Sequence, residues 1–72
     1  MRLDENLQIA RQPLTEATLR IAVGKTYIRR GNFSKAERQF RRAVQLHRRE
    51  LGTDHLETLL AQKELVSLLL GS

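Results

Sequence analysis

The sequence has no cysteine and no tryptophan, one proline, four glycines and three aromatic residues in a length of 72. Without thiols it can form neither a disulfide nor a cysteine-based metal centre, the usual supports of so small a domain. Apolar runs stop at three residues, as in Leu68-Leu69-Leu70, far below the roughly 20 that a membrane span needs. The opening Met1-Arg2-Leu3-Asp4-Glu5-Asn6 carries acids where a signal or transit peptide has a basic start and an apolar stretch. No membrane segment and no secretion are expected, and the chain reads as soluble and cytoplasmic, with the nucleus open to it. A core this limited calls for a stabilising partner.

What is present is helical punctuation. Leu14, Thr15 and Leu19 have the spacing of an N-cap flanked by a hydrophobic staple, predicting a helix from Glu16 to about Arg30. Gly31-Asn32 suits a left-handed stop. Ser34 with Glu37 three residues on reads as a capping box that opens a second helix from Lys35 to about Leu51. Gly52 stops that helix, and Asp54 with Glu57 repeats the capping-box spacing ahead of a third over 55–70. Leu3, Leu7 and Ala10 share a face, which predicts a short N-terminal helix over 3–11. No segment alternates in the manner of a strand. The fold class expected is all-α.

Shifting the sequence by 42 sets Val23-Gly24 over Leu65-Val66 and Tyr27 over Leu69, an approximate internal repeat. Within one copy lie Val23, Gly24, Tyr27, Gly31, Phe33, Ala36, Phe40 and Ala43. Small residues at Gly24 and Ala36 and large ones at Tyr27 and Phe40 allow small to face large across an antiparallel helix pair. This pattern resembles the tetratricopeptide repeat. The stretch Leu51-Gly52-Thr53-Asp54-His55-Leu56-Glu57-Thr58-Leu59 is similar to the connector of the kinesin light chain type of that repeat, with Leu56 where the family usually has proline. The resemblance implies an antiparallel helical hairpin of one complete repeat over 14–52 and a C-terminal helix over 54–70, the first of a second repeat or a cap. With the short N-terminal helix or tail over 1–12, this is a fragment of a right-handed α-solenoid. It also implies a non-catalytic protein-interaction scaffold.

Chemistry-bearing motifs are absent. His47 and His55 are eight residues apart with no zinc-type spacing; His47 lies on the stripe of Phe40, Ala43 and Val44 and is expected to pack, while His55 is expected to order the connector. Ser34 and Ser67 lack a local base, and Gly24-Lys25-Thr26 copies the end of a phosphate loop without its upstream glycine. No catalytic residue, metal or cofactor is expected.

Three surfaces remain as candidates. Eight of the basic residues fall in 29–49 against Glu37 alone, so +7 of charge is local and −2 is left for the rest. Arg38, Arg41, Arg42, Arg48 and Arg49 line one side of the second helix, either as a solvated face or as a nucleic-acid stripe, although no exposed aromatic is interleaved to stack bases. In the family the first helix of each repeat lines the groove that takes peptides. The resemblance therefore implies a partner groove at Ile21, Lys25, Ile28, Arg29 and Lys63, suited to an apolar and acidic segment. Ala22 and Ser67 stand beside the two lysines where a carboxylate clamp would have asparagines. Ile21 and Ile28 could instead pack on Leu3 and Leu7. Finally, Leu65, Val66, Leu68, Leu69 and Leu70, with Leu56, Leu59, Leu60 and Ala61, make the last helix apolar on more sides than one contact covers. Self-association there, or a further repeat helix, is expected.

Overall fold

A computed structural model describes residues 12–71. All of its elements are helices: α1 (Pro13–Arg29), α2 (Phe33–Leu51) and α3 (Leu56–Gly71). No strand occurs among the described residues, and the all-α class holds. The expected helix over 3–11, and any packing of Leu3 and Leu7 on Ile21 and Ile28, lies outside the described residues.

The ends of the helices differ from the sequence reading in a consistent way. α1 begins at Pro13, earlier than the Thr15 cap implied, because proline at the first helical position gives up an N–H that has no partner there. Thr15 is thereby inside the helix, where its Oγ1 donates to Gln12 Oε1 at 3.2 Å, and Leu14 and Leu19 are exposed without forming a staple. α1 closes as expected at Gly31, whose φ is +77°. The Gly31 N–H donates to the Ile28 carbonyl at 2.9 Å and the Asn32 N–H to the Tyr27 carbonyl at 2.8 Å, the paired bonds of a Schellman stop.

Asn32 then starts α2: its Oδ1 accepts from the Lys35 N–H at 3.3 Å. Ser34 is the second residue of that helix and not its cap. Gly52, at φ +95°, ends α2. At the start of α3 the cap is His55 and not Asp54. His55 Nδ1 accepts from the Glu57 N–H at 3.1 Å, and Thr58 Oγ1, in a fully buried residue, donates to the Gly52 carbonyl at 2.7 Å. The connector is thus pinned from both sides, and Leu56, in the place of the family's proline, opens α3 with its side chain in solvent.

α2 is the middle layer. It packs on α1 and on α3, which scarcely touch each other. Ala17 meets Ala43 and Leu46 in one buried cluster, while Ala36, Phe40 and Leu68 form another that is flanked by Ile21, Tyr27, Ile28 and Leu65. Gly24 allows a close approach: a Cβ built there would stand 2.6 Å from Phe40 Cε1, so the ring occupies the space a side chain would need. Of the residues expected in the repeat core, Gly24, Ala36, Phe40 and Ala43 are buried, and Tyr27 is partly buried. Gly31 serves the turn. Val23 and Phe33 are corrections, since both are more than two-fifths exposed. α1 turns Ala17, Ile21, Gly24 and Ile28 inward at i, i+4, i+7 and i+11, which carries Val23 to the outside.

Candidate partner-binding site

Because α2 holds α1 and α3 apart, a cleft of about 280 Å³ opens between them. α1 contributes Ile21 and Lys25, one turn apart on the same side. α3 contributes Glu57, Leu60, Lys63 and Glu64, and His47 of α2 lies at the floor. A second cleft of about 200 Å³ continues along the same seam, lined by Ile28, Phe33, Ser67, Leu68, Gly71 and again Glu64.

The chemistry of this seam is mixed. Ile21, Leu60 and Ile28 give apolar contact, while two ammonium groups and two carboxylates stand at the main cleft without an ion pair among the described residues. His47 is almost wholly buried and its Nδ1 has no hydrogen-bond partner among the described residues, a costly state for a polar atom away from water. Opposed charges that are close but unpaired suit a ligand that brings its own charged groups more than they suit a purely acidic one.

Four of the five residues expected at the groove fall on this seam. Ile21, Lys25 and Lys63 share the main cleft, and Ile28 is in its extension. Ile21 and Ile28 are also partly buried against the core, so they are the inner wall and not an open face. Arg29 lines neither cleft. Glu57, Leu60 and Glu64 are additions that sequence reasoning missed, although their spacing of three and four along α3 is the signal of one helix face.

Three of the five stripe arginines on α2 have an ion-pair partner, each through Nε. Glu16 accepts from Arg20 Nε at 2.6 Å and lies 3.6 Å from Arg42, which ties α1 to α2. Arg20 also donates to Gln39 Oε1 at 3.0 Å. The Arg20 hydrogen bond, aided by the charges of Arg20 and Arg42 and opposed by burial, holds the Glu16 carboxyl below its ordinary range. Arg41 pairs with Glu37 at 2.8 Å and Arg49 with Glu50 at 3.2 Å. Arg38 and Arg48 have no ion-pair partner among the described residues.

The leucine-rich helix is divided. Leu68 is buried, while Leu65, packed beside it, is partly buried and also lines an open notch with Val44 and Arg48 of α2. Val66, Leu69 and Leu70 remain exposed, together with Leu56, Leu59 and Leu60. No group of histidine, cysteine or carboxylate residues able to hold a metal occurs among the described residues, and none of the described helices is long and apolar enough to cross a membrane.

A family model for the tetratricopeptide repeat matches residues 17–57, more than half the chain, from the second turn of α1 to the first turn of α3. No curated protein and no solved structure matches the chain.

Proposed function

Since the chain belongs to the tetratricopeptide repeat family, in its kinesin light chain form, we propose that it is a protein-interaction module that takes a peptide segment in the cleft between α1 and α3. The family mediates protein-protein interaction and scaffolding and is a non-catalytic module; the reading assigns no catalysis or cofactor. One observation carries the choice of cleft: Ile21 and Leu60 supply apolar wall beside Lys25, Lys63, Glu57 and Glu64, whose charges are unpaired among the described residues. The ligand expected is a segment with an apolar anchor and neighbouring charges of both signs, which adds basic groups to the apolar and acidic segment expected from the sequence.

The other two surfaces have less support. Nucleic-acid binding needs free cations along a backbone, and three of the five stripe arginines are engaged with Glu16, Glu37 and Glu50. Self-association through α3 loses Leu68 to the core and part of Leu65, and retains Val66, Leu69 and Leu70. A cytoplasmic location accompanies the scaffold reading and is checked by imaging a tagged chain.

The test is selection of peptides from a random library on the intact chain, followed by fluorescence anisotropy of the selected peptides with variants. Leu60→Asp removes the apolar wall and adds a negative charge, and should weaken binding about tenfold or more, given the contribution of one buried leucine. Lys25→Glu should change which peptides bind. If selected peptides bind both variants as they bind the parent, with circular dichroism unchanged, the cleft is not the site.

A further inference from the structure

Two polar residues are buried among the described ones, Thr58 and His47. The Thr58 hydroxyl is satisfied, since it donates to the Gly52 carbonyl at 2.7 Å. His47 is not. It is 3% exposed, and its Nδ1 is the one buried side-chain nitrogen or oxygen among the described residues that has no hydrogen-bond partner. A position that served packing alone would be filled at lower cost by an apolar side chain, because a desolvated polar atom without a partner loses its bonds to water and gains none in return. Phe40, Ala43 and Val44, buried on the same stripe of α2, are filled in that way.

His47 also stands where a ligand can meet it. α2, as the middle layer, supplies it to the α1–α3 cleft, between the apolar walls Ile21 of α1 and Leu60 of α3. The charged residues of the cleft come from the same two flanking helices, Lys25 from α1 and Glu57, Lys63 and Glu64 from α3. None of the four bonds to Nδ1. The unmet demand therefore belongs to a residue at the floor of the cleft, and no group of the chain at the cleft answers it.

Chemistry limits what can answer it. Walls of isoleucine and leucine call for an apolar body. An imidazole carries a donor and an acceptor whose places exchange between tautomers, and a hydroxyl, which both donates and accepts, can meet either nitrogen in either tautomer. An indole can only donate and a carboxylate can only accept. An apolar body that ends in a hydroxyl is the side chain of tyrosine.

We propose that His47 is the specificity-determining residue of the cleft, hydrogen-bonding the hydroxyl of a tyrosine that the bound peptide inserts between Ile21 and Leu60. The proposal rests on the cleft being the peptide site and adds which anchor it selects. The free chain carries the unmet nitrogen as a loss of stability. Tyrosine relieves that loss on binding, whereas phenylalanine fills the same space and leaves the imidazole buried without a partner, which is how a site built around a hydroxyl rejects the analogue that lacks it.

The probe is a display library of short peptides whose central residue is tyrosine or phenylalanine in equal numbers, with the flanks randomised, selected on the intact chain. Tyrosine-centred peptides should dominate the recovered pool. Replacing that tyrosine by phenylalanine should weaken binding about tenfold in fluorescence anisotropy, a change of the size of one hydrogen bond. His47→Leu should bring the two peptides to within about twofold of each other, the signature of direct coupling. In the absence of peptide, at least one of His47→Leu and His47→Met should melt above the parent chain, a gain that a histidine with a structural role would not give. Equal recovery of the two anchors, a tyrosine preference that survives His47→Leu, or melting of both variants below the parent would overturn the proposal. Peptides that lose affinity for Leu60→Asp but ignore the exchange of tyrosine for phenylalanine would keep the cleft as the site and remove this role of His47. Peptides indifferent to Leu60→Asp, or no recovered peptide, would remove both.

Discussion

Replacing Gly24 by alanine sets two well-characterised effects against each other. In an open helix interior the change is favourable by about 1 kcal/mol, because alanine has the higher helix propensity. Here the added Cβ would lie 2.6, 3.0 and 3.1 Å from three carbons of the Phe40 ring. Phe40 is wholly buried, so its ring cannot swing into solvent, and overpacking of this kind costs about 1–3 kcal/mol. The balance expected is a net loss of about 1 kcal/mol, a large share of the roughly 3–5 kcal/mol available to a domain this small. Gly71→Ala is the control, since a Cβ there meets nothing within 4 Å. Urea unfolding followed by circular dichroism gives each value by linear extrapolation. Trimming the ring in the pair Gly24→Ala with Phe40→Leu should remove most of the clash, leaving a coupling energy of about 1 kcal/mol or more between the sites. If Gly24→Ala instead stabilises the chain by the full propensity gain and shows no coupling to Phe40, the account of the α1–α2 interface is wrong.

Two further outcomes follow from the helix ends and the hairpin seam. Asn32→Ala should cost about 1 kcal/mol by removing the cap of α2, while Ser34→Ala should be near neutral; thermal unfolding of the two variants distinguishes this arrangement from a Ser34 capping box. Glu16 has its folded-state pKa lowered below the ordinary 4.5 by the Arg20 hydrogen bond. The stability it contributes is therefore complete above its unfolded-state pKa and lost as pH falls through the lower folded value. Acid unfolding of Glu16→Gln should be correspondingly shallower over that window, with the loss at neutral pH near 0.3–1 kcal/mol for a partly exposed pair. An unchanged acid limb would remove Glu16 from the seam.

The three helices of the described residues and the breakpoints between them were legible because they depend on local chemistry. Gly31 and Gly52 adopt positive φ where the sequence has its two mid-chain breaks. Two caps were misassigned to neighbours for a reason of competition: Ser34 and Asp54 can each cap a helix, but Asn32, two residues before Ser34, and His55, directly after Asp54, make the cap bonds, while Pro13 opens α1 two residues ahead of Thr15. The candidate groove was legible in part. Lys25 and Lys63 were identified from the family's use of its first helices, but Glu57, Leu60 and Glu64 enter only when α3 is laid beside α1.

Sequence alone determined that the chain is all-helical, that its small and large residues alternate in a tetratricopeptide register, and that its charge is concentrated in 29–49. Each of these rests on spacing along one element or on composition. Only the tertiary structure decided which sides of those elements face one another. Val23 and Ile21 are both apolar and two residues apart, and nothing local distinguishes them until Gly24 brings α1 down on Phe40 and rotates Ile21 inward. The same docking pairs Glu16 with Arg42 across 26 residues of sequence, takes Leu68 into the core with Leu65 partly buried beside it, and leaves Val66 and Leu69 outside. A one-residue step turns a side chain by about 100° around a helix, so a face is assigned by its neighbour and not by hydrophobicity.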